Sequence, residues 1–130
     1  PLSPDFYASV TEPDESAQRS GSGLISQTTK PSSAKKLEQA DDNDLVVVHF
    51  TKWTKEGELI DSTLLQDQPT QLDLARCIPA YREGIPLMKV GESRRFWIPG
   101  NLAYGDNPPR IQPKGDFICD IQLLSVTKKP

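Results

Sequence analysis

The sequence is short of the residue types on which covalent and metal catalysis depend. One histidine and two cysteines occur in 130 residues. Any Ser/His/Asp or Cys/His centre would have to use His49, which sits inside a strand-like run where a lone histidine reads as a structural residue. Cys77 and Cys119 are too few for a disulfide-stapled scaffold and too far apart for a zinc knuckle, so they read as free, largely buried thiols. There is no phosphate-binding glycine loop, no pair of metal-binding histidines and no nucleophile elbow. Ser93 follows Gly91-Glu92 but lacks the glycine that an elbow needs after the serine. No apolar run approaches the roughly 18 residues that span a bilayer, which excludes direct membrane insertion by a helix. Apolar content is low as well. Hydrophobic residues make up 35% of the chain, against roughly 45–50%, glycine included, in an average soluble domain, so part of the chain has little core to offer.

What is present is one domain's length, with twelve prolines and eight glycines that follow no period. That pattern excludes collagen-like structure and argues against a bundle of long helices, because proline stops helices. The net charge of −3 is unevenly placed: residues 1–44 hold four Lys or Arg against eight Asp or Glu, and residues 45–130 hold eleven against ten. Neither part has the dense basic face of a nucleic-acid binder, and nothing supports a membrane-surface role. The chain starts at Pro1 without Met. A processed organellar or exported protein fits this as well as an arbitrary boundary does, no signal or transit pattern is visible, and the compartment stays open.

Residues 1–22 are rich in Pro, Ser, Asp, Glu and Gln, with Leu2, Phe6, Tyr7 and Val10 as the only large apolar side chains. Such a stretch predicts a flexible acidic tail, because it buries too little surface to offset the entropy of ordering it. Phe6-Tyr7 is the pair that would anchor it on a partner. From Gly23 the pattern changes. Leu24 to Thr29 reads as a first strand, and Leu45 to Thr54, rich in valine with Phe50 and Trp53, as a long one. Lys55-Glu56-Gly57-Glu58 supplies a turn with its glycine placed for a left-handed residue, and Leu59-Ile60-Asp61 returns. A short extended piece follows around Leu72 and Leu74. One helix is predicted from Pro79, with Tyr81, Ile85 and Met88 on one face at helical spacing and Pro86 and Gly91 keeping it short. Ser93 to Ile98 is another strand, and Leu102 to Lys114 a long proline-rich loop. Asp116 to Val126 closes the fold, with Phe117, Cys119, Ile121 and Leu123 on one face and Ile118, Leu124 and Val126 on the other. Apolar residues on both faces predict a central strand, and the element order predicts an α+β domain, an antiparallel sheet folded over a single helix.

Several of these residues together resemble one family. Val46-Val47-Val48-His49-Phe50-Thr51, Gly57, Ile60-Asp61-Ser62-Thr63, Pro69, and Ile78-Pro79-Ala80-Tyr81-Arg82-Glu83-Gly84 are followed by Met88 and Val90-Gly91-Glu92. Then come Arg94-Arg95-Phe96-Trp97-Ile98-Pro99, Leu102-Ala103-Tyr104-Gly105 and Asp120-Ile121-Gln122-Leu123-Leu124. In this order and spacing they are similar to FKBP-type peptidyl-prolyl cis-trans isomerases over about Leu24 to Val126. The resemblance implies an FKBP-like antiparallel β half-barrel wrapped around one short helix, over residues 23–127, with 1–22 as tail and 128–130 as the C-terminal end.

The resemblance further implies an activity, rotation of X-Pro bonds in an apolar pocket in support of protein folding, with no metal and no organic cofactor. Its substrates would be proline-containing polypeptides. Asp61, the backbone N–H of Ile78 and the Tyr104 hydroxyl would be the catalytic groups. Phe50, Ile60, Cys77, Tyr81, Ile111 and Cys119 would bind substrate, with Tyr81 as floor in place of the family's usual Trp. Read without the family, Asp61 is a turn cap, Tyr104 an aromatic packing its own loop, and Tyr81, Ile85 and Met88 are core. Where family members usually carry two further pocket phenylalanines this chain has Thr70 and Cys119, and Phe50 stands where Tyr is frequent. Losing several tens of Å2 of apolar wall costs roughly 1 kcal/mol or more, which predicts a weakened grip on proline and on the family's macrolide inhibitors. The competing reading is a catalytically weak binding or assembly subunit, tied to a larger protein complex by its tail. A third, a redox-sensing thiol protein, requires Cys77 and Cys119 to pair. Arg94 and Arg95 read as alternating along a solvated strand, with one of them fixing a carboxylate as the other option.

Overall fold

The computed structural model describes residues 10–105 and 114–129. The Phe6-Tyr7 pair and Ile111 lie outside the described residues. The strands are β1 (Gln18–Arg19), β2 (Ile25–Lys30), β3 (Leu45–Thr54), β4 (Leu59–Ser62), β5 (Thr70–Asp73), β6 (Ser93–Ile98) and β7 (Phe117–Thr127). They form one sheet in the order β1-β2-β6-β7-β3-β4, and β5 pairs with β3 beyond β4. All pairings are antiparallel. Helix α1 (Pro79–Gly84) continues as a single 3-10 turn over Ile85–Leu87. Strands β2 to β7 and the helix therefore fall close to where the sequence pattern places them, β1 lies in the stretch read as tail, and β7, apolar on both faces, is central between β6 and β3.

β3 forms because its β-branched run suits a pleated surface, and it pairs with β7 along its whole length. Val46, Val48, Phe50 and Lys52 share the inner face, toward the helix. The register shifts so that Val46 faces Val126 while Val48 faces Leu123. Leu124 is thus an extra residue, a bulge that turns Val126 back onto the core side. The sequence reading, with Val126 opposite Leu123, is corrected by that one residue. Gly57 has φ +94°, the left-handed turn residue its position predicts.

α1 begins with Pro79 at its first position, where a missing N–H costs nothing, and its Tyr81 and Arg82 amides donate to the Ile78 carbonyl at 3.0 and 3.2 Å. Pro86 cannot continue the α-helical bonding, and the last turn tightens. Tyr81, Ile85 and Met88 are all buried against the inner face of the sheet, with Phe96, Ile98, Phe117 and Leu123.

The outer face carries a second, smaller core. Trp53 faces Ile118 and Ile118 faces Trp97 across three strands, and Val10 covers them with no exposed surface of its own. The Trp97 indole N–H donates to the Val10 carbonyl at 2.8 Å. Gln18 and Arg19 then pair with Ser26 and Ile25. A loose tail up to residue 22 is therefore not what residues 10–22 form. Two tryptophans on the outer sheet face give a lone valine enough surface to bury. Val10→Ala is expected to cost about 1–2 kcal/mol, read as a lower Tm together with red-shifted tryptophan emission.

Arg94 and Arg95 both depart from the solvated strand expected of them. Arg94 is buried and donates to Glu92 at 2.8 Å, Gln18 at 2.6 Å and Ser26 at 3.1 Å. Arg95 makes a two-pronged contact with Asp120 at 2.6 and 2.9 Å on the outer face. Each fixes a carboxylate, since both sheet faces are covered here and neither guanidinium points into open water.

Candidate functional site

The half-barrel leaves a cavity of about 280 Å3 between the inner face of β3 and the start of α1. Its walls are Val48, Phe50, Leu72, Cys77, Ile78 and Ile121, with Tyr81 at the helix end and Tyr104 from the loop after β6. Thr70, Arg76 and Lys52 supply the polar part of the lining. A second cavity of about 290 Å3 lies beside the N-terminal segment, between Thr11, Trp97 and Asp116. Lys55 and Asp116 are its charged lining residues.

Two further donors border the first cavity. Ile78 has φ −60° and ψ 153° as the residue capping α1, so its N–H precedes the helix and finds no acceptor among the described residues. Tyr104 is half-buried and stacks on Phe117, with ring centroids 6.2 Å apart. Burial, with Cys119 and Cys77 adding to it, pushes its phenol above the ordinary value, so it remains a neutral O–H donor.

Tyr81 is buried and its hydroxyl donates to the Cys119 sulfur at 3.7 Å. The small Cys119 thiol lies behind the floor and accepts the hydrogen bond of the phenol. Burial pushes the Cys119 thiol up to about 12, so it holds its proton at neutral pH. Both cysteines are free, and the pairing that a redox sensor would need is not made.

The sequence-nominated residues are thus only partly assembled. Phe50, Cys77, Ile78, Tyr81 and Tyr104 line the cavity, and Cys119 lies directly behind it. Ile60 and Asp61 do not line it. The Asp61 carboxylate accepts from the Ser62 amide at 2.8 Å and the Gln66 side chain at 3.0 Å, the bonds of a turn cap. It sits across from Lys52 in the β3–β4 ladder. His49 bonds Thr63 at 2.9 Å, and the Phe50 amide donates to the same hydroxyl at 2.8 Å, which staples the end of β4 to β3.

Lys52 is one of the lining residues that the sequence reading missed, with Val48, Leu72, Arg76 and Ile121. It is 8% exposed, with its ammonium 4.9 Å from the Phe50 ring centre, 5.9 Å from Tyr104 and 6.0 Å from Phe117. Desolvation lowers its pKa, opposed by Cys119, Asp61 and Cys77. The signal was there: period-two alternation from Val46 through Val48 and Phe50 puts position 52 on the inner face.

The family model for FKBP-type peptidyl-prolyl cis-trans isomerases matches residues 36–124. The chain belongs to that family. This FKBP-family chain is 30% identical over 123 residues to the FKBP-type peptidyl-prolyl cis-trans isomerase FkpA of Aeromonas hydrophila, a match covering 94% of the chain and 45% of the relative. It is 37% identical over 87 residues to FK506-binding protein 1 of Candida glabrata, covering 64% of the chain and 76% of that protein. The crystal structure of FkpA from Escherichia coli superposes with a TM-score of 0.79 at 28% identity, over 97% of this chain and 56% of that one. The chain spans less than half the length of the Aeromonas relative. The cavity beside Tyr81 lies within the residues that the family model matches, and Lys52 is a cation on its wall.

Proposed function

We propose that this FKBP-family chain is a peptidyl-prolyl cis-trans isomerase, acting on proline-containing polypeptide segments in the cavity over Tyr81. The observation that carries the reading is the juxtaposition of an apolar hollow with two donors at its edge, the Ile78 N–H and the Tyr104 phenol. Rotation about an X-Pro bond faces a barrier of about 18–20 kcal/mol, because resonance gives the amide partial double-bond character. Resonance places negative charge on the oxygen and positive charge on the nitrogen. A dry cavity stabilises that charge-separated form less well than water does, and so favours the twisted amide in which resonance is lost. A thousandfold acceleration needs only about 4 kcal/mol, since each tenfold takes about 1.4. Desolvation, shape and two hydrogen bonds are of that size, and no nucleophile is required. Holding the carbonyls that flank the proline at Ile78 and Tyr104 would fix the segment while the imide turns.

Ile78→Pro tests this cleanly. The φ of −60° at Ile78 and the extended Cys77 before it already suit proline, so the change removes the N–H with little strain. Because the Ile78 side chain also packs against the core, stability is expected to fall by about 1–2 kcal/mol. Isomerisation of a short X-Pro peptide is expected to slow by about tenfold or more, as a hydrogen bond in a dry site is lost. Ile78→Val, which keeps the N–H, serves as the control. If the folded wild-type protein gives no acceleration at all, the competing reading as a binding or assembly module stands instead.

A further inference from the structure

One side of the cavity is a short stretch of chain between β5 and α1, and Leu72, Arg76, Cys77 and Ile78 all line it. Within that stretch lies a single 3-10 turn, Leu74–Arg76. A turn of this kind closes few hydrogen bonds and is unstable by itself, because ordering the chain outweighs what they return. Here the Cys77 amide donates to the Leu74 carbonyl at 3.2 Å. The next amide along the chain belongs to Ile78, one of the two donors in the isomerase reading. Whatever holds the turn therefore helps to place that N–H.

Asp73 holds it. This residue ends β5, where it pairs with Leu45, and caps the turn from an extended backbone, its Oδ1 accepting from the Ala75 amide at 3.2 Å. The same oxygen takes the Lys129 ammonium at 2.6 Å. Lys129 follows the end of β7. Its own amide donates to the Asp44 carboxylate at 3.3 Å, and the Asp44 carbonyl accepts from the Leu74 amide at 3.0 Å. The turn is thus tied at both of its first two residues, through Asp44 and through Asp73, and Lys129 joins the two ties. Arg76 comes no closer to Asp73 than 3.9 Å, with its own side chain 88% exposed, and adds no comparable restraint. Lys129, and after it the Ala75 amide, holds the Asp73 carboxyl below its ordinary value against the opposing effect of burial, so it is a charged acceptor at neutral pH. The Asp73 and Lys129 side chains are 29% and 31% exposed, and a pair this open adds little to global stability. Its effect falls on the segment it touches.

We propose that Asp73, held by Lys129, is a positioning residue for the Ile78 N–H, keeping that donor in place at the cavity edge before a prolyl segment arrives. The inference rests on the isomerase reading above. A donor fixed in advance needs no ordering when a carbonyl binds to it, so the benefit appears in catalysis more than in the melting temperature.

The test is a double-mutant cycle between positions 73 and 78, read as kcat/KM on a short X-Pro peptide. Asp73→Ala is expected to lower kcat/KM by about three- to fivefold, the size of a lost cap and surface pair. Asp73→Asn, which still caps Ala75, is expected to stay within about twofold of wild type, and Lys129→Met to lose about twofold. In the Ile78→Pro background there is no N–H to place, so Asp73→Ala is expected to have less than about a 1.5-fold further effect. An equal loss in both backgrounds overturns the proposal, since Asp73 would then act on the fold and not through Ile78. So does a folded Asp73→Ala with wild-type kcat/KM. Backbone NMR relaxation reads the same restraint without any activity: the Ile78 order parameter is expected to fall from about 0.85 towards about 0.6 in Asp73→Ala. An unchanged order parameter also overturns the proposal. If the wild-type protein isomerises no peptide, the isomerase reading fails, and the order parameter by itself decides whether Asp73 holds the N–H. Should Asp73→Ala fail to fold, Lys129→Met takes its place in the cycle and in the relaxation measurement.

Discussion

Arg94→Met is expected to destabilise the protein by about 3–5 kcal/mol, because it strands a buried carboxylate. Arg94 and Glu92 have side chains only 8% and 5% exposed. The carboxylate also accepts from the Lys89 amide at 3.0 Å and the Thr28 hydroxyl at 2.8 Å, and Arg94 reaches on to Gln18 in β1. One ion pair thus fastens β1, β2 and the start of β6. For a domain of this size the loss corresponds to a drop in Tm of roughly 10–20 °C, and calorimetry measures it. The double change Glu92→Leu with Arg94→Met is expected to recover much of it, since an apolar pair has no charge to strand. The recovery stops short of complete because the Lys89 amide and Thr28 lose their acceptor. If Arg94→Met costs under 1 kcal/mol, the pair is not dry and this account of the sheet edge is wrong.

The same pair sets a pH dependence. Burial pushes the Glu92 carboxyl up, but the hydrogen bonds from Arg94, Lys89 and Thr28 outweigh burial and hold it below its ordinary value of 4.5. A depressed folded pKa means that the stabilisation is fully present above 4.5 and is lost as pH falls through the folded value. Thermal melts between roughly pH 5 and pH 2 are therefore expected to show stability falling with acid, and the slope should be shallower in Glu92→Gln.

The contrast between this pair and its surroundings shows which features the sequence carries openly. β3, β6 and α1 are legible because each is decided locally: a run of valines, the strand-favouring Phe96-Trp97-Ile98 ahead of Pro99, and a proline opening a helix whose apolar residues recur at Tyr81, Ile85 and Met88. Arg94-Arg95 is not legible in that way. Adjacent arginines look the same whether they face water or a carboxylate, and Glu92 and Asp120 become their partners only once β2, β6 and β7 are side by side. Val10 illustrates the same limit, since its burial depends on Trp53 and Trp97, far along the chain. In the site, the family pattern led to Phe50, Ile78, Tyr81 and Tyr104. It also drew attention to Thr70 and Cys119 as losses, and so obscured that Cys119 is the acceptor for the Tyr81 hydroxyl. Lys52 went unseen because a lysine near a strand end reads as solvent-facing, although the alternation of its own strand placed it inward.

The helix that carries Tyr81 depends on one close approach, and Phe96→Ala is expected to undo it at a cost of about 3–5 kcal/mol. Phe96 is 1% exposed, and its ring lies against Gly84 so closely that a Cβ on that glycine would overlap it. Gly84 ends α1, and the ring of Phe96 fills the space a side chain would take, which seats the helix on the sheet at the depth that places Tyr81 under the cavity. Gly84→Ala alone is expected to cost about 1–3 kcal/mol by overpacking, despite alanine's better helix propensity of about 1 kcal/mol. Combined with Phe96→Leu, which removes the crowded ring edge, the alanine is expected to cost less than it does alone. A double-mutant cycle would then show a coupling of about 0.5–3 kcal/mol. Additive effects within about 0.3 kcal/mol would mean that helix and sheet do not meet at this point. Because Tyr81 moves with the helix, Phe96→Ala is also expected to weaken binding of a prolyl peptide under conditions where the variant remains folded, whereas Val10→Ala, on the outer face, is expected to lower stability and leave that binding unchanged.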